Sequence, residues 1–135
     1  AGVNAFIRGI DRLGSARVPA AVIMCTNRLN ALDPAVKRRA AEIMAFARPD
    51  AEQRRFVLGL RLQPLGLSQT DLNALVEATG HQNGRDYGFT FSDITQRLLP
   101  AIVLDAYPSQ PVRGARAVEI ARGIQPTPPF QEEAS

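Results

Sequence analysis

The groups in this chain best suited to handling charged oxygens are arginines. Of its 16 basic residues Lys37 is the one lysine and the rest are arginine. Arginine's planar, permanently charged fork binds phosphate and carboxylate through two points, which a lysine cannot do. A genome-wide preference for arginine gives the same bias, so the count alone assigns no ligand. Arg28 closes the polar run Thr26-Asn27-Arg28 behind an apolar stretch, and Arg38-Arg39 lies at the end of a short helical segment. Asn27 carries an amide that both donates and accepts, and it serves equally well to close a turn. His81 is the single histidine and Cys25 the single cysteine, so no metal-ligand set is expected. Cys25 ends the apolar stretch and reads as a small buried hydrophobe. One cysteine excludes an internal disulfide and fits a reducing compartment, so a cytoplasmic location is expected.

The elements that must position these groups follow from periodicity. With 135 residues, 45% of them hydrophobic and 21% charged, the composition is that of a globular chain with a modest core. Val3, Phe6, Ile7, Ile10 and Leu13 recur at helical spacing over residues 2–13. Ala20 to Cys25 is a short, unalternating apolar run, as in a strand buried on both faces. Asp33-Pro34 starts a short helix, and Ile43 to Phe46 reads as a second strand. Residues 1–48 are therefore expected to be an α/β fragment, the end of a parallel sheet.

From Pro49 the pattern is helical. Asp50 and Gln53 have capping-box spacing ahead of an apolar face of Phe56, Val57 and Leu60. Ser68 caps a helix with Leu72, Leu75 and Val76 on one face, and Gly80 lies past its end. Thr90 and Asp93 start a third helix carrying Ile94, Leu98, Ile102 and Val103, which Pro100 is expected to kink. A fourth helix spans Val112 to Arg122. Residues 49–124 read as an all-α four-helix unit and 125–135 as a flexible, proline-rich tail. Asn83-Gly84 marks a turn within the loop 81–87, which reads as a surface loop.

Taken in order, Ala21-Val22-Ile23-Met24-Cys25-Thr26-Asn27-Arg28, Leu32-Asp33-Pro34-Ala35, Arg38-Arg39, Phe46 and Pro49-Asp50 resemble the AAA+ ATPases. Members carry a strand ending in Thr-Asn-Arg, a Leu-Asp-Pro-Ala helix start, one or more arginines, a second strand and Pro-Asp before a helical lid. Gly88-Phe89-Thr90-Phe91-Ser92-Asp93-Ile94 is similar to the family's turn into its third lid helix. The resemblance covers roughly residues 1–107. It implies the end of a P-loop NTPase parallel sheet followed by a four-helix lid.

The resemblance also implies roles. Asn27 falls at sensor 1, beside the γ-phosphate. Arg39, with Arg38 as the alternative, falls at the arginine finger that completes a neighbouring subunit's site. Phe89, Thr90, Phe91 and Ser92 fall where the lid meets adenine and ribose, with Phe89 placed to pack on the base and the Thr90 end of the helix offering free backbone N–H groups; burial in the lid core is the equal alternative for Phe89 and Phe91. Where many members have a second finger this chain has Glu42. One finger then suffices, or hydrolysis is weak, or Glu42 pairs with an arginine nearby. The implied cofactor is ATP or ADP with Mg²⁺. The implied partners are other copies of the chain, in a hexameric ring, and a protein substrate.

The loop that grips phosphates, Gly-x-x-x-x-Gly-Lys-Ser/Thr, is not in the sequence, and neither is the acidic strand end that holds Mg²⁺. The chain is accordingly expected to be a C-terminal fragment of an ATPase, inactive alone. Half an α/β core would leave an unpaired sheet and an apolar face, so self-association is expected as well. The alternative is a non-enzymatic helical interaction module derived from such a lid. A nucleic-acid-binding role ranks below both, because a net charge of +3 is spread along the chain without a basic, aromatic-interleaved patch. No apolar stretch reaches the ~20 residues of a membrane span.

Overall fold

Short polar side chains, Asp33, Asp50, Ser68 and Thr90, set four of the helix starts, and the chain divides into two units. The computed structural model describes residues 2–108 and 110–130. One unit holds the residues up to Ala45 together with Phe130, and the other is Phe46–Pro129.

In the first unit, α1 is Gly2–Ser15. Its apolar stripe is largely open, with Val3, Phe6 and Leu13 exposed and Ile7 and Ile10 half-buried. A short 3₁₀ turn, Leu29–Ala31, precedes α2, Pro34–Lys37. Asp33 starts α2 by accepting the N–H of Ala35 at 2.8 Å, with proline in the first turn. Among the described residues of this unit Val36 is the one buried hydrophobe.

The strands expected over Ala20 to Cys25 and Ile43 to Phe46 are not formed. Among the described residues there is no strand, and the single β-bridge joins Gln82 to Arg85. The physical reason is that a parallel strand takes its hydrogen bonds and both of its apolar faces from neighbours. No neighbour among the described residues supplies them, so the run stays unpaired. Ile23 is 87% exposed and Phe46 90%. Cys25, expected to be buried, is exposed with them.

In the second unit the expected caps are in place. Asp50 Oδ1 accepts the N–H of Gln53 at 2.8 Å, and Gln53 Oε1 accepts the N–H of Asp50 at 3.0 Å, a reciprocal box that opens α3, Ala51–Leu62. The buried face of α3 differs from the expected one. Leu58 and Leu62 are fully buried, while Phe56 and Leu60 face solvent. Arg54 stands one turn before Leu58 on the buried side, and its charge hides that face from a hydrophobic count.

Ser68 Oγ accepts the N–H of Asp71 and opens α4, Gln69–Ala78, with Leu72, Leu75 and Val76 buried as expected. The third helix begins at Phe91 and passes through a π-helical segment, Asp93–Leu98, into α5, Leu99–Ala106. The kink expected at Pro100 takes this form. Proline lacks an N–H, and its ring crowds the carbonyl four residues back. Ahead of it the ladder shifts to a five-residue span, with Leu99 donating to the carbonyl of Ile94. The last helix, α6, is Gly114–Gly123. It packs on α4 and α5, and Ala117 and Ala121 join Leu75, Phe89, Ile94 and Leu98 in the core. Each fully buried leucine of this core contributes about 1.5–3 kcal/mol.

Close packing of α6 on α4 depends on one glycine. A Cβ at Gly114 would lie 1.9 Å from Asp71 Cγ and 2.3 Å from Asp71 Cβ. The second atom is fixed to the backbone of α4, so a rotamer change cannot relieve the clash. Gly114→Ala is expected to destabilise the helical unit by about 2 kcal/mol or more, read as a lower urea midpoint by far-UV circular dichroism. An unchanged midpoint would show that α6 is not seated on Asp71 in this way.

Candidate functional site

The start of the third helix of the second unit is built around Asp93, which is 1% exposed. Thr90 Oγ1 accepts the N–H of Asp93 at 2.9 Å, and Asp93 Oδ2 accepts the N–H of Thr90 at 3.0 Å. The sequence spacing promised this reciprocal cap. It did not promise the donors from the far end of the chain. Thr127 gives its N–H to Oδ2 at 2.9 Å and its hydroxyl to Oδ1 at 2.7 Å. Arg97 reaches Oδ1 at 3.1 Å and the carbonyl of Gln125 at 2.8 Å. Residues 125–127, read from sequence as the start of the tail, thus lie against this helix as a strap, with Pro126 buried beneath it. Burial alone would raise the Asp93 carboxyl. The bonds from Thr90, Thr127 and Arg97 outweigh it and hold the group down at about 2.

Of the two readings of Phe89, against a base or within the core, the structure has the second: it has no exposed surface and is part of the core. Its N–H goes to the carbonyl of Thr79 at 2.9 Å. Gly88 makes this approach possible, since a Cβ there would lie 2.8 Å from the same carbonyl. The N–H of Thr90 itself is held by Asp93, as the cap requires. Phe91 is 41% exposed, and Ser92 is exposed beside it. These two stand open at the helix start.

Two arginines escaped the sequence reading. Arg54, 9% exposed, donates to the carbonyls of Pro49 at 2.9 Å and Val76 at 3.3 Å. It joins the first turn of α3 to the end of α4, and its burial lowers its pKa. Arg48 donates to the carbonyl of Gly88 at 2.7 Å and lies 5.0 Å from the Tyr87 ring. Arg85 lies 5.5 Å from the same ring. The loop 81–87 is therefore fastened at its end to the residues that lead into α3. The spacing of Arg54 from Asp50 was visible in the sequence, but no local pattern distinguishes a buried arginine from a solvated one.

In the first unit, Asn27 is exposed in the turn that Thr26 closes by accepting the N–H of Arg28 at 3.0 Å. Arg28 stacks on Phe130, 4.3 Å from its ring. Arg38 is exposed. Arg39 is paired with Asp11 rather than Glu42, Nε to Oδ1 at 2.9 Å and Nη2 to Oδ2 at 3.1 Å. Its Nη1 reaches the carbonyl of Ala35 at 3.0 Å. The bond from Arg39 lowers the Asp11 carboxyl, and the same bond raises Arg39. Among the described residues no cluster of His, Cys, Asp or Glu could hold a metal ion, and no helix is long and apolar enough to cross a membrane.

No family model matches the chain. Over 130 residues it is 56% identical to CD-NTase-associated protein 6 of Escherichia coli strain MS 115-1, spanning 96% of this chain and 42% of that protein. It is 36% identical over 126 residues to the protein of the same name in strain KTE188, again across 42% of that protein. Among solved structures it is similar to a chain of the E. coli MS115-1 HORMA:CdnC:Trip13 complex, with 55% identity and a TM-score of 0.90 over 96% of this chain and 43% of that one. It is also similar to Rhizobiales Trip13, with 60% identity and a TM-score of 0.84 over 96% of this chain and 48% of that one. The chain thus spans less than half the length of these relatives.

The Asp93 network carries a stability signature. Because the carboxyl sits at about 2 against an ordinary 3.8, its contribution is complete above the ordinary value and is lost as pH falls through about 2. That contribution is about 2 kcal/mol. Asp93→Asn keeps the size but turns an amide donor toward donors, and it is expected to cost about 2–3 kcal/mol at neutral pH. The gap from the unsubstituted chain should narrow as pH approaches 2. A gap constant with pH in urea titrations would mean that the charge of Asp93 is not what holds the strap.

Proposed function

From the homology of this chain to part of CD-NTase-associated protein 6, a Trip13-like AAA+ ATPase, we propose that it is the sensor-and-lid part of a ring ATPase that remodels a protein substrate. The observation that carries this reading is the family's ordered pattern from Thr26-Asn27-Arg28 through Pro49-Asp50, lying within 130 residues at 56% identity to such a protein. A hexameric ring and a cytoplasmic location belong to the same proposal. The relative solved in complex with HORMA and CdnC makes a HORMA protein the candidate substrate.

The residues present suit the rim of a nucleotide site. Arg39 retains N–H groups beyond those it gives to Asp11 and Ala35, and an anionic phosphate needs such donors. Phe91 and Ser92 stand exposed at a helix start, where backbone N–H groups carry partial positive charge. The residues do not suit the grip, since the phosphate loop and its lysine are not in this sequence. ATP with Mg²⁺, when bound, supplies the phosphoanhydride whose cleavage drives the ring. In this reading Asn27 orients water near the terminal phosphate through its amide. Arg39 offsets charge in a neighbouring subunit's site, with Arg38 in reserve. Thr90 to Ser92 face adenine and ribose, and Phe89 supports them from the core.

A second reading, a non-enzymatic helical interaction module, draws on one observation. Phe89 and the N–H of Thr90 already have internal partners, as a lid released from nucleotide binding would. The two readings separate on Arg39→Ala in the longer protein proposed to carry this chain. The ATPase reading expects turnover to fall about 10³-fold while binding of a fluorescent ATP analogue persists. Undiminished turnover would sink the finger assignment, and no analogue binding by the unsubstituted protein would favour the module.

A further inference from the structure

Arginine fingers work by direction, because a flexible charged side chain that must find its orientation at each turnover gives up part of its effect. In this chain the candidate finger is already oriented. Asp11, in the last turns of α1, meets the Nε and Nη2 edge of Arg39, and the carbonyl of Ala35 in α2 meets Nη1. Three of the guanidinium's five N–H groups are committed, and the rest stay open. Arg8 and Arg12 flank Asp11 on its own helix, yet it is Arg39, 28 residues away in sequence, that takes the carboxylate. The side chains remain 34% and 57% exposed. A pair so wet is weak as a clamp, so it sets a direction without locking the arginine away from an incoming anion. Glu42 stands where a second finger would be, which leaves Arg39 to act alone.

We propose that Asp11 is a positioning residue for the ATPase reaction: its carboxylate aims Arg39 toward the phosphate of a neighbouring subunit. The inference rests on the reading of Arg39 as a finger, and it adds a residue from a separate helix to that reading.

A double-substitution cycle in the longer protein tests it, with steady-state ATPase and analogue binding as readouts. Asp11→Ala and Asp11→Asn are both made, the second because it keeps the side chain's shape. Each is expected to lower kcat about tenfold and to leave KM for ATP within about twofold. Asp11→Glu should restore part of the loss, and the unfolding midpoint should not move. Asp11→Ala combined with Arg39→Ala should be no slower than Arg39→Ala alone. Wild-type or faster turnover in both Asp11 variants, with Arg39→Ala inactive, would overturn the aiming role and leave the finger standing. Full turnover in Arg39→Ala would overturn the finger reading itself. A double variant that loses the product of the two single effects would give Asp11 a task independent of Arg39 and overturn the proposal.

Discussion

Asp93 takes hydrogen bonds from three stretches of the chain: from Thr90 just before it, from Arg97 one turn on, and from Thr127 beyond the last helix. A carboxylate that is 1% exposed is costly to bury unless its oxygens are matched by donors, and here four donors match two oxygens. The helix start, the π segment and the strap are therefore interdependent. Thr90 is held by the same group that holds Thr127, so the strap fixes the rim formed by Phe91 and Ser92 from behind. Phe89 enters the core through the glycine at 88, and Arg48 ties that glycine's carbonyl to the chain entering α3.

The two units show what burial does to equally apolar sequences. In the second, leucines at helical spacing find each other within about 80 residues, and no buried side-chain nitrogen or oxygen among the described residues is left unpaired. In the first, Val22, Ile23, Met24, Ile43 and Met44 are as apolar as any core yet stay exposed. Their unalternating pattern belongs to a strand covered on both faces by helices and hydrogen-bonded at both edges to other strands, and the described residues supply neither. The contacts the first unit does make are largely polar: the Asp33 cap of α2 and the solvated two-point contact between Asp11 and Arg39, the second of which orients a side chain more than it stabilises the unit.

The caps were legible because a cap is local. Asp50 with Gln53, Ser68 with Asp71 and Thr90 with Asp93 each act across three residues, and spacing alone reveals them. The buried face of α4 was legible because its apolar residues have no polar competitor. The face of α3 was not, since Arg54 occupies it and Phe56 and Leu60 offer a more hydrophobic stripe that faces solvent. The strands failed for the opposite reason: an apolar run becomes a strand only beside a neighbour that takes its hydrogen bonds, and no stretch among the described residues pairs with Ala20 to Cys25 or Ile43 to Phe46. Of the candidate site, the residue types were readable at Asn27, Arg39 and Phe89 to Ser92. The partners were not, since Asp11 and Thr127 lie 28 and 34 residues from the groups they hold.

The π segment before Pro100 has a consequence for length variation. Each residue of an α-helix advances the side chains by about 100° around the axis, and the wide turn absorbs one residue more than an α-helical path would. Phe91 and Ser92 on one side of it and Leu99 and Ile102 on the other are thereby set at an angular offset that a plain helix would not give. Deleting a single residue between Thr95 and Arg97 would restore an ordinary ladder and leave the two sides facing as they do now, whereas closing the ladder at full length would turn one side by about 100° relative to the other. The wide turn thus keeps the direction in which the helix presents Phe91 and Ser92 while carrying one residue more.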